Sequence, residues 1–461
     1  MFRRTLMRWR YNRGHWQHAR KHAGKLLENP KEVVLARSVI IRSYWNEGRY
    51  QEVLQICNQW PDDALTLYYK ERAEDKLIVV SPMKVTHRVQ RIRDDQPVPK
   101  TDINWNESEM VENFSQEGEI VWFRYPGGYV FWEVPKGFDL SSTHENLLKL
   151  VAEVLLYPWI PSTRASFTKT RFTGSRASLS FSAGTDSTAA ALVMPETTLL
   201  GYHRRSFKSL LDHRNANRLL NHLQESRTRD ILSISSNHEL IRTHYGKQIG
   251  FSSDFACASH LILLADHLDL GAIGFGMPLD NTYLWKGHQY RNFESTDYYV
   301  KWTKRFQQAG LDLLFPIAAI SEAGALKIVQ QSDWLEYLNS CMRGDGQNGC
   351  GRCWKCFHKN GPLGRTFDIE SSEIQVYLNK RPLPTATHAL WALQTMNLEK
   401  QVPDLAHLFE QDFSWWVQAY PPAFDLLPVP WRKEIQSSIM SFLPTMMEPY
   451  VLETINHFNT E

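Results

Sequence analysis

The junction at Ser182-Ala183-Gly184-Thr185-Asp186-Ser187 constrains this chain more than any other segment. A short apolar run, Ala177 to Phe181, precedes it, and a run of small residues, Thr188 to Leu192, follows. That order predicts strand, tight loop, helix. A Ser-, Gly- and Thr-rich loop at a helix N-terminus gathers backbone N–H groups with no intrahelical partner, together with the positive end of the helix dipole. Such a place receives phosphate. Ser182 and Ser187 add hydroxyl donors, and Ala183, Gly184, Thr185 and Thr188 complete the candidate cradle. Asp186 repels a phosphate unless it orients the loop or holds a Mg²⁺ that bridges to it. No Gly-Lys-Ser/Thr follows and Gly-x-Gly-x-x-Gly is absent, so this is neither of the commoner phosphate loops. The plain alternative is a strand-to-helix turn capped by Ser or Thr.

Alternation continues beyond the loop. Strands are predicted at Thr197–Tyr202, Asp230–Ile234, Ala272–Phe275 and Leu311–Phe315, with a long helix over Phe255–Leu268. Strands alternating with helices predict an α/β fold with a parallel sheet covered on both faces. Ligands of such sheets sit at the carboxyl ends of the strands. The Ser182–Thr188 loop, His203 to Arg205, Gly276 to Asp280, and Pro316 all fall just after strands and are expected to meet in one crevice.

A second cluster lies downstream. Four of the six cysteines, Cys341, Cys350, Cys353 and Cys356, fall within sixteen residues. Two Cys-x-x-Cys steps share Cys353, and nearby glycines permit turns that aim backbone N–H groups at sulfur. Four thiolates from one loop suit a structural Zn²⁺, with an Fe–S cluster as the rival. Only Cys57 and Cys257 remain, so a disulfide framework is not expected, and a reducing, cytoplasmic setting is.

The Ser-x-Gly-x-Asp-Ser loop resembles the PP-loop of ATP pyrophosphatases, which split ATP into AMP and pyrophosphate. With the Cys-x8-Cys-Gly-x-Cys-x-x-Cys element it resembles the 7-cyano-7-deazaguanine synthases, over about Ala177 to Gly361. Tyr202 and Arg205, the Ala272–Gly276 strand with Asp280, and Leu314-Phe315-Pro316-Ile317 agree with that family. Ala183 stands where the family usually has Gly. Glu322 stands near the family's Lys, with Lys327 one turn away. Phe251-Ser252-Ser253-Asp254 replaces an Arg-Asn element, and Tyr290 to Phe293 poorly keeps a Tyr-Pro-Asp segment.

The resemblance implies a Rossmann-like, adenine nucleotide alpha hydrolase-like core and an ATP-dependent C–N ligase. ATP phosphates would lie on Ser182, Gly184, Thr185 and Ser187. Asp186 and Asp280 would serve Mg²⁺, and Arg205 the transferring phosphate. A carboxylate would be adenylated and then attacked by a nitrogen nucleophile from an amine donor. In that family the acid is 7-carboxy-7-deazaguanine and the nucleophile ammonia; the departures leave room for another acid and amine. A sugar amidotransferase, a tRNA thiolase and a nucleotide-binding scaffold are the alternatives.

At 461 residues the chain has room for two to four domains. Residues 1–78 read as helical and tetratricopeptide-like, a unit that must lean on neighbours or a protein partner. Residues 79–140 read as a small antiparallel β module, with strands at Lys76–Val80, Glu119–Arg124 and Gly128–Val134. A long loop is expected from Asp94 to Ser115. The PP-loop domain is placed at 141–365 and a helical C-terminal region, its Trp residues packing, at 366–461. The first 27 residues carry eight Arg or Lys and no acid, which suits RNA or an anionic surface as well as a solvated helix face. No run reaches the length of a membrane span, and the N-terminus lacks the apolar stretch of a secretory signal.

Overall fold

The computed structural model describes residues 2–61, 65–67, 69–70, 73, 107–125, 128–160, 163–167, 169–206, 213–245, 249–341 and 343–457. The strand expected at Lys76–Val80 lies outside them, as do most of the Asp94–Ser115 loop and the tip of the hairpin at Tyr125–Gly128. The described end of that loop is not all coil, because Glu107–Glu112 forms a short helix.

Four helices come first: α1 (Phe2–Asn12), α2 (Trp16–Gly24), α3 (Val33–Asn46) and α4 (Tyr50–Gln59). Small residues let them approach closely. Ala19, Ala23 and Ala36 are buried with Met7, Leu26, Val39 and Ile40 in a cluster separate from the main core. Gly48 turns the chain between α3 and α4 at φ +73°, where a side chain would be strained.

The sheet has eight strands: β1 (Phe114–Glu117), β2 (Ile120–Tyr125), β3 (Gly128–Glu133), β4 (Arg176–Ser180), β5 (Leu199–Arg205), β6 (Ile231–Ser236), β7 (Leu270–Phe275) and β8 (Asp312–Leu314). Their order is β1-β2-β3-β6-β5-β4-β7-β8. The five from β6 to β8 are parallel neighbours. The antiparallel strands expected as a separate module instead continue this sheet, through Trp132 opposite Ser236. The side chain of Asn237 ties the seam, accepting from Phe131 N–H at 2.9 Å and donating to Tyr129 O at 3.0 Å.

β7 is nearly all apolar or Gly and wholly buried, as a central parallel strand must be. Helices α5 (Glu145–Leu156), α6 (Thr185–Val193), α7 (Arg214–Ser226), α8 (Asp297–Gln308) and α9 (Glu322–Gln330) accompany it. The long helix expected over Phe255–Leu268 is broken: a 3₁₀ turn at Ala256–Ala258 leads into a short α-helix, Ser259–Leu263. Gly201 explains how closely this segment packs, since a Cβ there would lie 2.5 Å from Leu261. α10 (Ala386–Thr395) and α11 (Val429–Phe442) belong to the C-terminal region, where Trp391 and Trp416 are buried in the same core as the sheet. Tyr420 N–H donates to Ala319 O at 2.7 Å, pinning that region to the segment after β8.

Candidate functional site

β5 and β6 succeed β4 on one side, and the chain then crosses to place β7 on β4's other side. The loops after β4 and β7 therefore diverge around a crevice, the usual ligand position in such sheets. The Ser182–Ser187 loop follows β4 and opens α6, with Gly184 at the N-cap position. Ala183 takes φ +56°, the left-handed region that suits glycine. Gly276, after β7, lies against the loop so closely that a Cβ would sit 3.0 Å from Ser187 N.

The loop's donors are held by hydroxyls. Ser182 Oγ and Ser187 Oγ are 3.0 Å apart, and Ser187 Oγ donates to Gly184 O at 3.1 Å. Gly184 N–H reaches Ser182 Oγ at 3.4 Å, a weak bond. Thr185 N–H donates to Ser340 Oγ at 2.8 Å, and the two hydroxyls are 2.5 Å apart. Ser340 thus caps α6 from 155 residues away in sequence, immediately before the first clustered cysteine.

The four cysteines converge. Sγ separations are 3.8 Å for Cys341–Cys353, 3.9 Å for Cys350–Cys356 and 3.6 Å for Cys353–Cys356, and none is disulfide-bonded. Four thiolates around one tetrahedral ion at ~2.3 Å lie about 3.8 Å apart. Backbone N–H groups of Arg343 and Cys350 donate to Cys341 Sγ at 3.3 and 3.1 Å. The side-chain amide of Asn360 lies 3.5 Å from Cys356 Sγ. Gly349 permits this closeness, since a Cβ there would meet Asn360 Nδ2 at 2.5 Å. The cluster could hold a metal such as zinc.

The two motifs are joined by a residue that sequence reasoning missed. Cys356–Asn360 is a π-helical turn, and its Lys359 reaches the Ser182–Ser187 loop. Lys359 Nζ lies 2.7 Å from Asp186 Oδ1 and 2.7 Å from Glu322 Oε2. Burial disfavours the ammonium, but the Asp186 and Glu322 carboxylates outweigh burial and raise its pKa. Burial alone would push Glu322 up; Lys359 and the His358 hydrogen bond instead hold it well below the usual carboxylate range. A signal was present: Lys359 follows Cys356 by three residues, on one turn with a metal-ligand candidate. Lys327, in the last turn of α9, takes no part.

Asp280 lies beneath this ion pair. It is buried, and its Oδ2 accepts the Glu322 N–H at 2.7 Å. Burial, then the Glu322 charge, pushes its carboxyl well above the usual range, which favours the protonated form. His358 and His388 also approach Glu322, each at 3.8 Å. These three residues have metal-ligand chemistry and proximity. The Lys359 ammonium, however, already occupies the cation position on that Glu322 oxygen.

Arg205 is placed elsewhere, at the end of β5. Its Nε donates to the fully buried Glu239 at 2.8 Å, and its N–H to His213 Nε2 at 2.8 Å. His203 Nε2 is 3.3 Å from the other Glu239 oxygen. The expected crevice thus has two parts in the described residues: Asp186, Ser187, Asp280 and the cysteine turn around α6, and Arg205 with Glu239 beyond β5.

Residues 301–452 match the model of a family of unknown function, DUF6395. That segment includes the four cysteines, Glu322, Lys359 and His388, and excludes the Ser182–Ser187 loop. No curated protein matches the chain. No solved structure matches it either.

Proposed function

We propose that this protein is an ATP-dependent ligase that adenylates a carboxylate, releases pyrophosphate and transfers the acyl group to a nitrogen nucleophile. The observation that carries the reading is the Ser182–Ser187 loop at the N-terminus of α6, at the switch point of the sheet. Its N–H groups, held by hydroxyls in this structure, and the helix dipole suit the phosphates of ATP. The hydroxyls of Ser182 and Ser340 stand where phosphate oxygens would accept, and yield when ATP binds.

The carboxylate oxygen attacks the α-phosphorus, the bond to the bridging oxygen breaks, and pyrophosphate leaves. The amine then attacks the acyl carbon and AMP leaves with the bonding pair. Lys359 supplies fixed positive charge next to the loop, where charge develops on the transferring phosphate. Mg²⁺ accompanying ATP would face the outer oxygen of Asp186, whose side chain keeps 30% exposure. Zn²⁺ in the Cys341, Cys350, Cys353 and Cys356 site would be structural, because four thiolates leave no open position. The sulfur spacing favours one shared ion over an Fe–S cluster, in which the four thiolates are divided among two or four irons.

A second reading has its own support. The Thr185 cap by Ser340 and the Lys359 lock satisfy the loop internally, as in a nucleotide-binding scaffold without turnover. Metal analysis with AMP release from ATP, using 7-carboxy-7-deazaguanine and ammonium, separates them. AMP formed only with the acid supports the ligase and its deazaguanine version. ATP binding without AMP for any carboxylate supports the scaffold.

A further inference from the structure

The charge of this chain is segregated. Residues 1–60 carry twelve Lys and Arg against four Asp and Glu, while the remaining residues carry forty against forty-six. An overall charge near neutrality hides a strongly basic helical segment on a mildly acidic body.

Three of the four acids in this segment are taken up in ion pairs. Arg4 pairs with Glu32 at 3.2 Å, Arg20 with Glu47 at 2.8 Å and Arg49 with Glu52 at 2.5 Å. Among the described residues, Arg3, Arg8, Arg10, Arg13, Lys21 and Lys25 have no acidic partner. These cations crowd together across α1 and α2: burial and then Lys25, Arg10 and Lys21 hold the His22 imidazole below its ordinary pKa. Trp9 stands among them, 42% exposed. The guanidinium of Arg10 lies 4.8 Å from its ring centre and that of Arg13 4.6 Å.

We infer that α1 and α2 bind single-stranded nucleic acid, with Arg10 and Arg13 on phosphates and Trp9 as a stacking platform for an unpaired base. An exposed ring with guanidinium groups over it suits a base that takes the place of a guanidinium on the ring and leaves it to the adjoining phosphate. A lipid surface fits worse. The apolar side of these helices, Met7, Ala19, Ala23 and Leu26, is already buried against α3, so no apolar face remains to enter a bilayer. A duplex fits worse too, because its bases are stacked and offer Trp9 no face.

The test uses the full-length protein and a fluorescently labelled single-stranded RNA of mixed sequence, by anisotropy from about 50 to 200 mM salt. Affinity should fall steeply with salt. Arg10→Gln with Arg13→Gln should reduce the log–log slope by about 0.7 per charge removed. Trp9→Ala should weaken binding about tenfold with the slope unchanged. Arg10→Lys with Arg13→Lys should keep the slope, which separates lost charge from lost fold. The inference is overturned if RNA does not bind at the lowest salt, if these variants bind as the parent does, or if duplex RNA or anionic phosphatidylserine vesicles bind equally well.

Discussion

At the scale of single residues, Lys359 is the decisive one. It is 5% exposed, and one ammonium serves two carboxylates. Replacing it with Met leaves the partly buried Asp186 and Glu322 beside one another without a cation. Breaking such a pair costs roughly 3–5 kcal/mol, less where Asp186 meets solvent. Denaturant unfolding of Lys359→Met should show a loss of that order, and Lys359→Arg should recover most of it. A loss under about 1 kcal/mol would remove the ion pair from the account. Ala183 offers the opposite case. At φ +56° an L-residue is strained by roughly 1–2 kcal/mol, and glycine relieves it. Ala183→Gly should raise the thermal midpoint by a degree or more, offset in part by the looser unfolded chain. A lower midpoint would mean that Ala183 packing outweighs its backbone cost.

At the scale of elements, the cysteine turn and the Ser182–Ser187 loop are joined into one assembly. Ser340 caps α6, and Cys356 and Lys359 share a π-helical turn. Ser340→Ala should cost about 1 kcal/mol, as loss of a helix cap does, and should leave the cysteine cluster's metal content unchanged. Removing a metal held by the four cysteines should do more. With a chelator, or in Cys353→Ser, the turn that carries Lys359 loses its anchor, so both the melting temperature and ATP binding should fall together. ATP affinity that survives metal loss would show that the two motifs are independent.

At the scale of the whole molecule, the sheet buries histidines that must stay neutral. Burial holds His203 and His238 well below the ordinary imidazole value and His260 down to about 4. In the unfolded chain these groups take up protons below about pH 6.5. Their values are depressed on folding, so the stability they contribute is complete above about pH 6.5. It is lost as pH falls from there toward about 4. Urea midpoints should therefore drop between about pH 7 and pH 5, before the carboxylates titrate. A flat profile across that range would show that water or a partner reaches these rings. The same scale explains the β strands. Nothing local in Glu119–Arg124 or Gly128–Val134 tells whether an antiparallel hairpin stands alone or extends a parallel sheet; Asn237 and Ser236, a hundred residues on, decide it.

What the sequence determined by itself was periodic or local. The alternation of apolar strands with helices, the strand–loop–helix at Ser182–Ser187 and the cysteine spacing each lie within a few residues, and the chain's own geometry carries them into the fold. The positions of strand ends moved by only a few residues, as at Leu199–Arg205 and Leu270–Phe275. The broken helix at Ala256–Leu263 escaped, and its segment packs closely on Gly201 of β5, a contact that no local pattern contains. The partnerships at the site were decided only by tertiary structure. Ser340 on Thr185, Lys359 on Asp186, and Arg205 on Glu239 join residues far apart in sequence. Burial and neighbouring charge then set the carboxyls at the site: burial pushes Asp280 toward its protonated form while Lys359 keeps Glu322 ionised next to it. Desolvation and Coulomb attraction depend on which groups meet in the interior, and a linear pattern does not contain that.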